Sequence, residues 1–458
     1  MTATGEGSLY ELVARGNKDL YFFADNDKSR FIFNNSYNSQ AERMTEMRTT
    51  PPRSTAEFGR VVEFDIDLVA DIISEVNILI KLPSWLPPPQ AKTIGKSVIT
   101  DSANISYGYV NGIAYFLFEN ISLYQDNILL QEFSGDTLWA FSQIEGTYAN
   151  RKIIHELTGQ HDGSALNIGR NAAPPTLRLK LPLLGCQSKD DAGFPIRSAQ
   201  GHTFKLKCKL RKLEDLVESS NITNTGKPAP WGKSGFIQKT SATQSIPFNT
   251  LQRTSMSPLE LFLETKQVYV SAEIQKELMK KSMLLATKYF ENKFTQSLAD
   301  YAGVSAGSAS QLTRYIDGRH PTKRILFYFR TSTNTNANRL WNITLNNGPF
   351  YNTISLLVAG QQREHPKQPF VWRDIVNFRK EEIDSQMEIN TMNWTLGDTT
   401  IKVPPEQVTG TINLTTAYRP SFYMDLLTST TFTELYVVTE GHFGFETEEG
   451  RAELFSLN

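Results

Sequence analysis

Histidine is the side chain best suited to metal or acid–base chemistry near neutral pH. The chain has six, and they are scattered: His155, His161, His202, His320, His365 and His442. Only "HELTGQH" brings two of them close. A zinc-binding helix needs histidines four residues apart, so that both project from one face. Here the gap is six and Gly159 interrupts the helix, so His155 and His161 read as solvated loop residues. "TGKPAP" holds Gly226 and Lys227 but lacks the earlier glycine and the following Ser or Thr of a phosphate loop. "GSALNIGR" is not a G-x-G-x-x-G turn after a strand, and no G-x-S-x-G elbow occurs. Cys186 follows Gly185 in a loop with no identifiable histidine partner, while Cys208 falls on an apolar strand face as a small core residue. The pattern therefore assigns no catalytic, cofactor-binding or metal-ligating residue.

Composition narrows the remaining classes. The 458 residues carry 47 Lys plus Arg against 48 Asp plus Glu, a net charge of −1. No global basic field exists to hold nucleic acid, and sequence-specific nucleic-acid binding is not expected. Hydrophobic residues make up 40% and aromatics 11%, enough to fill a packed core. Only two cysteines point to a reducing compartment and to unbridged thiols. The opening "MTATGEGSLYELVARGNKD" has no basic start, no long apolar stretch and no glycine after Met1, so neither a signal peptide nor myristoylation is expected. No window approaches the ~18 apolar residues of a membrane span.

The elements that would position any site are strands. In "VEFDIDLV" the apolar Val62, Phe64, Ile66 and Leu68 alternate with Glu63, Asp65 and Asp67. "LRLKLPL", "FKLKCKLRKL", "LELFLET", "RILFYFRT", "ISLLVAG" and "TELYVVTEGHFGFE" continue in this manner. Such strands bury one face and wet the other, as antiparallel sheets do. The Lys205/Lys207/Lys209/Arg211 face reads as solvated, its lysines blocking edge-to-edge pairing. Helical pattern is scarce. "SAEIQKELMKKSM" is the clearest, with Ser271 as N-cap, followed by "SGDTLWAFSQI" and "QPFVWRDIVNFRKEEIDSQM". Two Pro-, Gly-, Ser- and Thr-rich stretches, 83–106 and 217–250, read as long surface excursions. A coarse internal echo links "ISLYQDNILLQEFSGDTLWAF" to "ISLLVAGQQREHPKQPFVWRDI". Each is a strand, a polar turn, a second strand and a Trp-containing helix, which suggests two copies of one β-domain.

Specific strings then go beyond patterning. "GSLYELVARGNKDLYF", with Leu12, Val13, Ala14, Gly16, Asp19 and Tyr21, resembles the opening of the major capsid proteins of nucleocytoplasmic large DNA viruses. "YVNGIAYFLFENISLYQD", "LRLKLPLLGCQSKDDAGFPIRSAQGHTFKLKCKL" and "GRHPTKRILFYFR" are similar to later strings of that family, the last through His320, Pro321 and Lys323. "PEQVTGTINLTTA" and "LYVVTEGHFGFE" resemble its closing strands.

The resemblance implies an all-β chain of two antiparallel eight-stranded jelly-roll sandwiches side by side, with few short helices. The expected layout is an N-terminal arm over 1–20, a first jelly roll over 21–272, a junction over 273–320 and a second jelly roll from 321 to 458. His320, Pro321 and Lys323 would mark the start of the second barrel. The implied function is structural and not enzymatic: homotrimers form pseudo-hexagonal capsomers that tile an icosahedral shell, with no cofactor. The implied partners are neighbouring capsomers, minor capsid proteins and an internal viral membrane. The implied location is the virion, assembled in the host cytoplasm. In the arm, Leu9, Leu12 and Val13 at helical spacing, with Asp19 and Tyr21, are the candidate assembly residues. A minor capsid or scaffold paralogue of the same fold and a carbohydrate-binding β-sandwich remain the alternatives.

Overall fold

The computed structural model describes residues 43–83, 98–99, 107–144, 148–161, 174–186, 193–219, 227, 237–239, 245–247, 258–280, 282–295, 310–318, 320–343, 349–376, 387–395, 410–414, 419–427, 434–448 and 451–455. The arm residues Leu9, Leu12, Val13, Asp19 and Tyr21 lie outside them.

Alternation of apolar and polar residues builds the first barrel. Its strands are β1 (Arg43–Thr50), β2 (Val61–Asp65), β3 (Ile72–Lys81), β4 (Phe118–Gln125), β5 (Ile128–Phe133), β6 (Leu177–Lys180), β7 (Phe204–Leu210) and β8 (Glu260–Val270). In β7, Phe204, Leu206, Cys208 and Leu210 are buried while Lys205, Lys207 and Lys209 point away from the core. One sheet runs β1-β8-β3-β6 and the other β2-β7-β4-β5, and every pairing is antiparallel. First pairs with last, second with seventh, third with sixth and fourth with fifth. This is one long hairpin rolled around a single core, the jelly-roll wiring.

The second barrel repeats that wiring. Its strands are β9 (Ser282–Thr295), β10 (Ser310–Tyr315), β11 (Pro321–Arg330), β12 (Tyr351–Val358), β13 (Gln361–Lys367), β14 (Ile389–Asn393), β15 (Ser421–Leu426) and β16 (Glu434–Glu448). The sheets run β9-β16-β11-β14 and β10-β15-β12-β13, the first barrel's order shifted by eight. The internal echo has a structural counterpart. The β4–β5 and β12–β13 hairpins turn through Asp126 and Ala359, both at φ 53°. Each hairpin leads into a helical segment, Gly135–Ile144 and Val371–Ile375, that buries a tryptophan, Trp139 and Trp372.

Several expectations need correction. Residues 273–320 are not a junction: β9 and β10 are the first two strands of the second barrel and pair with β16 and β15. His320, Pro321 and Lys323 therefore stand at its third strand. The lysine-bearing strand β7 is not an edge, because β2 and β4 flank it. Its lysines instead answer carboxylates on those neighbours, Lys207 to Glu63 at 3.1 Å and Lys209 to Glu119 at 2.7 Å. Ser271 precedes the Ala272–Leu278 helix, but its side chain makes no capping hydrogen bond. "QPFVWRDIVNFRKEEIDSQM" is helical over its described residues 369–376, with a π-helical turn at Val371–Ile375. A helix at Tyr148–Thr158 was not anticipated. Short strands lie within and directly beside the two long excursions. Tyr107–Tyr109 pairs with Val217–Ser219, and Val98–Ile99, Ile237–Lys239 and Ser245–Pro247 form a small sheet.

Candidate functional site

The feature that sets this molecule apart from two beads on a string is the seam between its barrels. Strand β11 shows how the sequence makes it. Side chains alternate across a strand, so Ile325, Phe327 and Phe329 fill the second barrel's core. Arg324, Leu326, Tyr328 and Arg330 occupy the opposite face. That face was expected to be wet, yet all four are buried, because the first barrel covers it. Leu326 and Tyr328 belong to the first barrel's apolar cluster. Strand β16 divides likewise: Leu435 and Val437 point inward, while Tyr436 and Val438 pack toward the first barrel. Across the seam, the ring of Tyr289 meets Phe133 edge-on at 6.0 Å and Phe141 at 5.1 Å. Farther along β16, Phe445 lies 5.6 Å from Phe194 of the first barrel.

Charge is buried in this apolar surface, and it is matched. Asp136 sits in the first turn of the Gly135–Ile144 helix, where the N-terminal end of the helix dipole favours an anion. It accepts from Arg211 of its own barrel and from Arg330 Nη2 of the other, the latter at 2.7 Å. Burial disfavours its ionised form, but the two guanidinium groups overcome this and hold its carboxyl well below the usual carboxylate range. Arg330 also donates to the Leu340 carbonyl at 3.0 Å and lies 4.6 Å over the Tyr436 ring. Glu291 of β9 reaches across to the same helix, accepting from Ser134 N at 2.7 Å and Thr137 Oγ1 at 2.6 Å. Burial is the largest influence on it and raises its pKa. A second ion pair, Arg324 with Glu440, lies under Phe141, whose ring is 4.6 Å from the guanidinium carbon. Burial opposes ionisation of Glu440, but Arg324 and Lys323 lower its pKa.

A second tie joins residues 214–219 to the second barrel. Asn338, itself at φ 58°, donates from Nδ2 to the carbonyls of Glu214 and Val217 at 2.7 and 2.9 Å. Arg339 donates to the Ser219 carbonyl at 2.9 Å. Trp341 Nε1 donates to Glu218 Oε2 at 2.8 Å, and His161 Nε2 lies 2.9 Å from the other carboxylate oxygen. The loop reading of His161 as solvated is thus wrong: its side chain is 8% exposed and Glu218 is fully buried. His161 is held there by Asn111, which accepts from its backbone N–H and donates to its carbonyl. His155 belongs to the Tyr148–Thr158 helix rather than to a loop.

His320, Pro321 and Lys323 lie together where β11 begins. The ring of His320 is 5.4 Å from Phe290 and 6.4 Å from Phe443. Pro321 opens β11 opposite Asn413, and Lys323 Nζ is 3.9 Å from Glu440. A polar cleft of about 620 Å³ opens beside Asp136 and Glu291. Two of its three lysines are answered by carboxylates, Lys209 by Glu119 and Lys293 by Glu434. The arrangement fixes the two barrels against each other by matched buried charge.

Solved structures of the same architecture are found among viruses. A chain of the PBCV-1 virus capsid superposes with a TM-score of 0.68 at 12% identity, over 93% of this chain and 100% of that one. The Faustovirus major capsid protein gives 0.62 at 10% identity, over 94% of each chain. A chain of the Sputnik virophage gives 0.57 at 9%, over 96% and 92%. The fold is the double jelly roll of viral major capsid proteins. No protein-family model and no curated protein matches the sequence. The double jelly roll here thus shares barrel number, wiring and nearly full length with those chains while sharing about a tenth of their residues.

Proposed function

We propose that the chain is a structural capsid protein of a large DNA virus. Three copies form a capsomer, and capsomers tile an icosahedral shell. The observation that supports this most is the seam. It fuses two barrels of identical strand order into one rigid block, so that a trimer presents six similar lobes and fills a pseudo-hexagonal tile. Obligate interfaces of such trimers bury on the order of 2,000–5,000 Å². The arm at 1–20, through Leu9, Leu12 and Val13, is the contact with minor capsid proteins or with an internal membrane. The protein then resides in the virion shell after assembly in the host cytoplasm. Light scattering on the purified chain tests the oligomer: the reading requires a stable particle of three times 51.7 kDa. A lone monomer at micromolar concentration contradicts it.

A further inference from the structure

The Tyr148–Thr158 helix carries an apolar stripe that nothing among the described residues covers. Ile153 is 59% exposed and Leu157 38% exposed. At 100° per residue these two stand about 40° apart on one face. The flank away from Lys152 and Glu156, about 100° round from the stripe, is the buried one. Ile154 is half-buried and Thr158 buried, its hydroxyl donating to the Ile154 carbonyl at 2.6 Å. Gly159 ends the helix at φ 72°, where a Cβ would come within 2.9 Å of Ile113. Its carbonyl accepts from the Gly112 N–H, and the Asn111–His161 clamp follows. The helix is therefore held firmly with its apolar stripe outward.

The charges beside the stripe identify what would cover it. Lys152 and Glu156 are both exposed and form no ion pair among the described residues. One turn apart, they line the same flank of the stripe. When two helices pack antiparallel, like flanks meet and run in opposite directions. A copy of this helix turned by a two-fold axis would place its Glu156 against Lys152 and its Lys152 against Glu156. The same rotation lays Ile153 on Leu157 in both directions. The surface is complementary to itself, which is the requirement of an isologous contact.

We infer that this helix is the face by which a second copy of the chain, in a neighbouring capsomer, docks across a two-fold axis. The inference rests on the capsid reading proposed above. A three-fold axis cannot place a helix antiparallel to its own copy, so the contact lies between trimers rather than within one. It is small, and a shell repeats it many times. Each contact can then be weak while the assembly is stable.

The test uses the full chain and charge exchange at exposed positions. Lys152→Glu leaves two carboxylates on the flank, and Glu156→Lys leaves two ammonium groups. Each variant alone should keep the wild-type melting temperature and unit mass, yet need about tenfold more protein to assemble beyond the trimer. An equimolar mixture of the two variants should assemble as wild type does, because each supplies the other's complement. Restoration by mixing supports the antiparallel pair. Assembly by either single variant at the wild-type concentration overturns the inference and leaves the capsid reading standing, as does a mixture no better than its parts. A wild-type chain that never assembles beyond a monomer refutes the capsid reading and this inference with it.

Discussion

Replacing Asp136 by Asn removes one charge from the centre of the seam and nearly nothing from its shape. The remaining carbonyl oxygen can still accept from Arg330 Nη2. The new amide, however, points its own N–H groups at Arg211, donor against donor. Arg330 is 1% exposed and loses its counter-charge where water cannot replace it, whereas Arg211, 18% exposed, borders the polar cleft and can be partly rehydrated. Breaking a buried ion pair by removing one partner costs about 3–5 kcal/mol, and since only Arg330 is left fully buried, a cost of about 3 kcal/mol is expected. The pH dependence follows from the sign of the shift. The folded-state pKa of Asp136 lies below its unfolded value. Its contribution is thus complete above about pH 4 and is lost only as the pH falls toward the folded value. Chemical denaturation should show the full deficit of the variant at pH 7 and at pH 5, shrinking only in stronger acid. Adding Arg330→Met should recover part of the loss, since Met removes one unmatched charge. A variant within 0.5 kcal/mol of wild type would refute the view that matched charge holds the barrels together.

Glu291→Gln tests the opposite sign. Burial raises the Glu291 pKa, so the wild type is most stable below the unfolded value near pH 4.3 and loses stability as the pH climbs through the folded value. Gln keeps an oxygen for Ser134 and Thr137, so the variant should melt above wild type at pH 8 and level with it at pH 4; a constant offset between the two would count against burial as the cause. Gly135→Ala should cost about 3 kcal/mol or more, because a Cβ there would overlap the carbonyl oxygens of Tyr115 and Phe118. Gly360→Ala, at a turn with φ 76° and open space, should cost only about 1 kcal/mol by the same denaturation assay. Cys186 and Cys208 are free and buried, so a thiol reagent should find neither in the folded chain and both after unfolding, and reductant should leave the melting temperature unchanged.

The barrels themselves were legible in the sequence because alternation records which face of a strand is buried. Val62 and Phe64, or Phe204, Leu206 and Cys208, announce their core positions without reference to anything distant. The echo between the two hairpin–tryptophan segments was legible for the same local reason. The seam was not. "RILFYFR" alternates as a strand should, but its second face becomes buried only because another barrel covers it, a fact outside the local pattern. A signal was present: Arg324 and Arg330, an even number of residues apart, share one face with Leu326 and Tyr328, an odd mixture for a solvated surface. The early strands β9 and β10 were missed because the "SAEIQKELMKKSM" helix suggested a boundary and then a junction. His161 was misjudged because its burial depends on Glu218 and Trp341, which the sequence places 57 and 180 residues away.

Two like barrels, locked by matched buried charge, should form one building block that assembles in threes. Electron cryomicroscopy of the purified chain tests it most directly. The expected particles have a mass of three times 51.7 kDa and six lobes around a three-fold axis, each chain contributing two lobes in one fixed relative orientation. Single two-lobed chains, or lobes of one chain that vary in orientation from particle to particle, would contradict it.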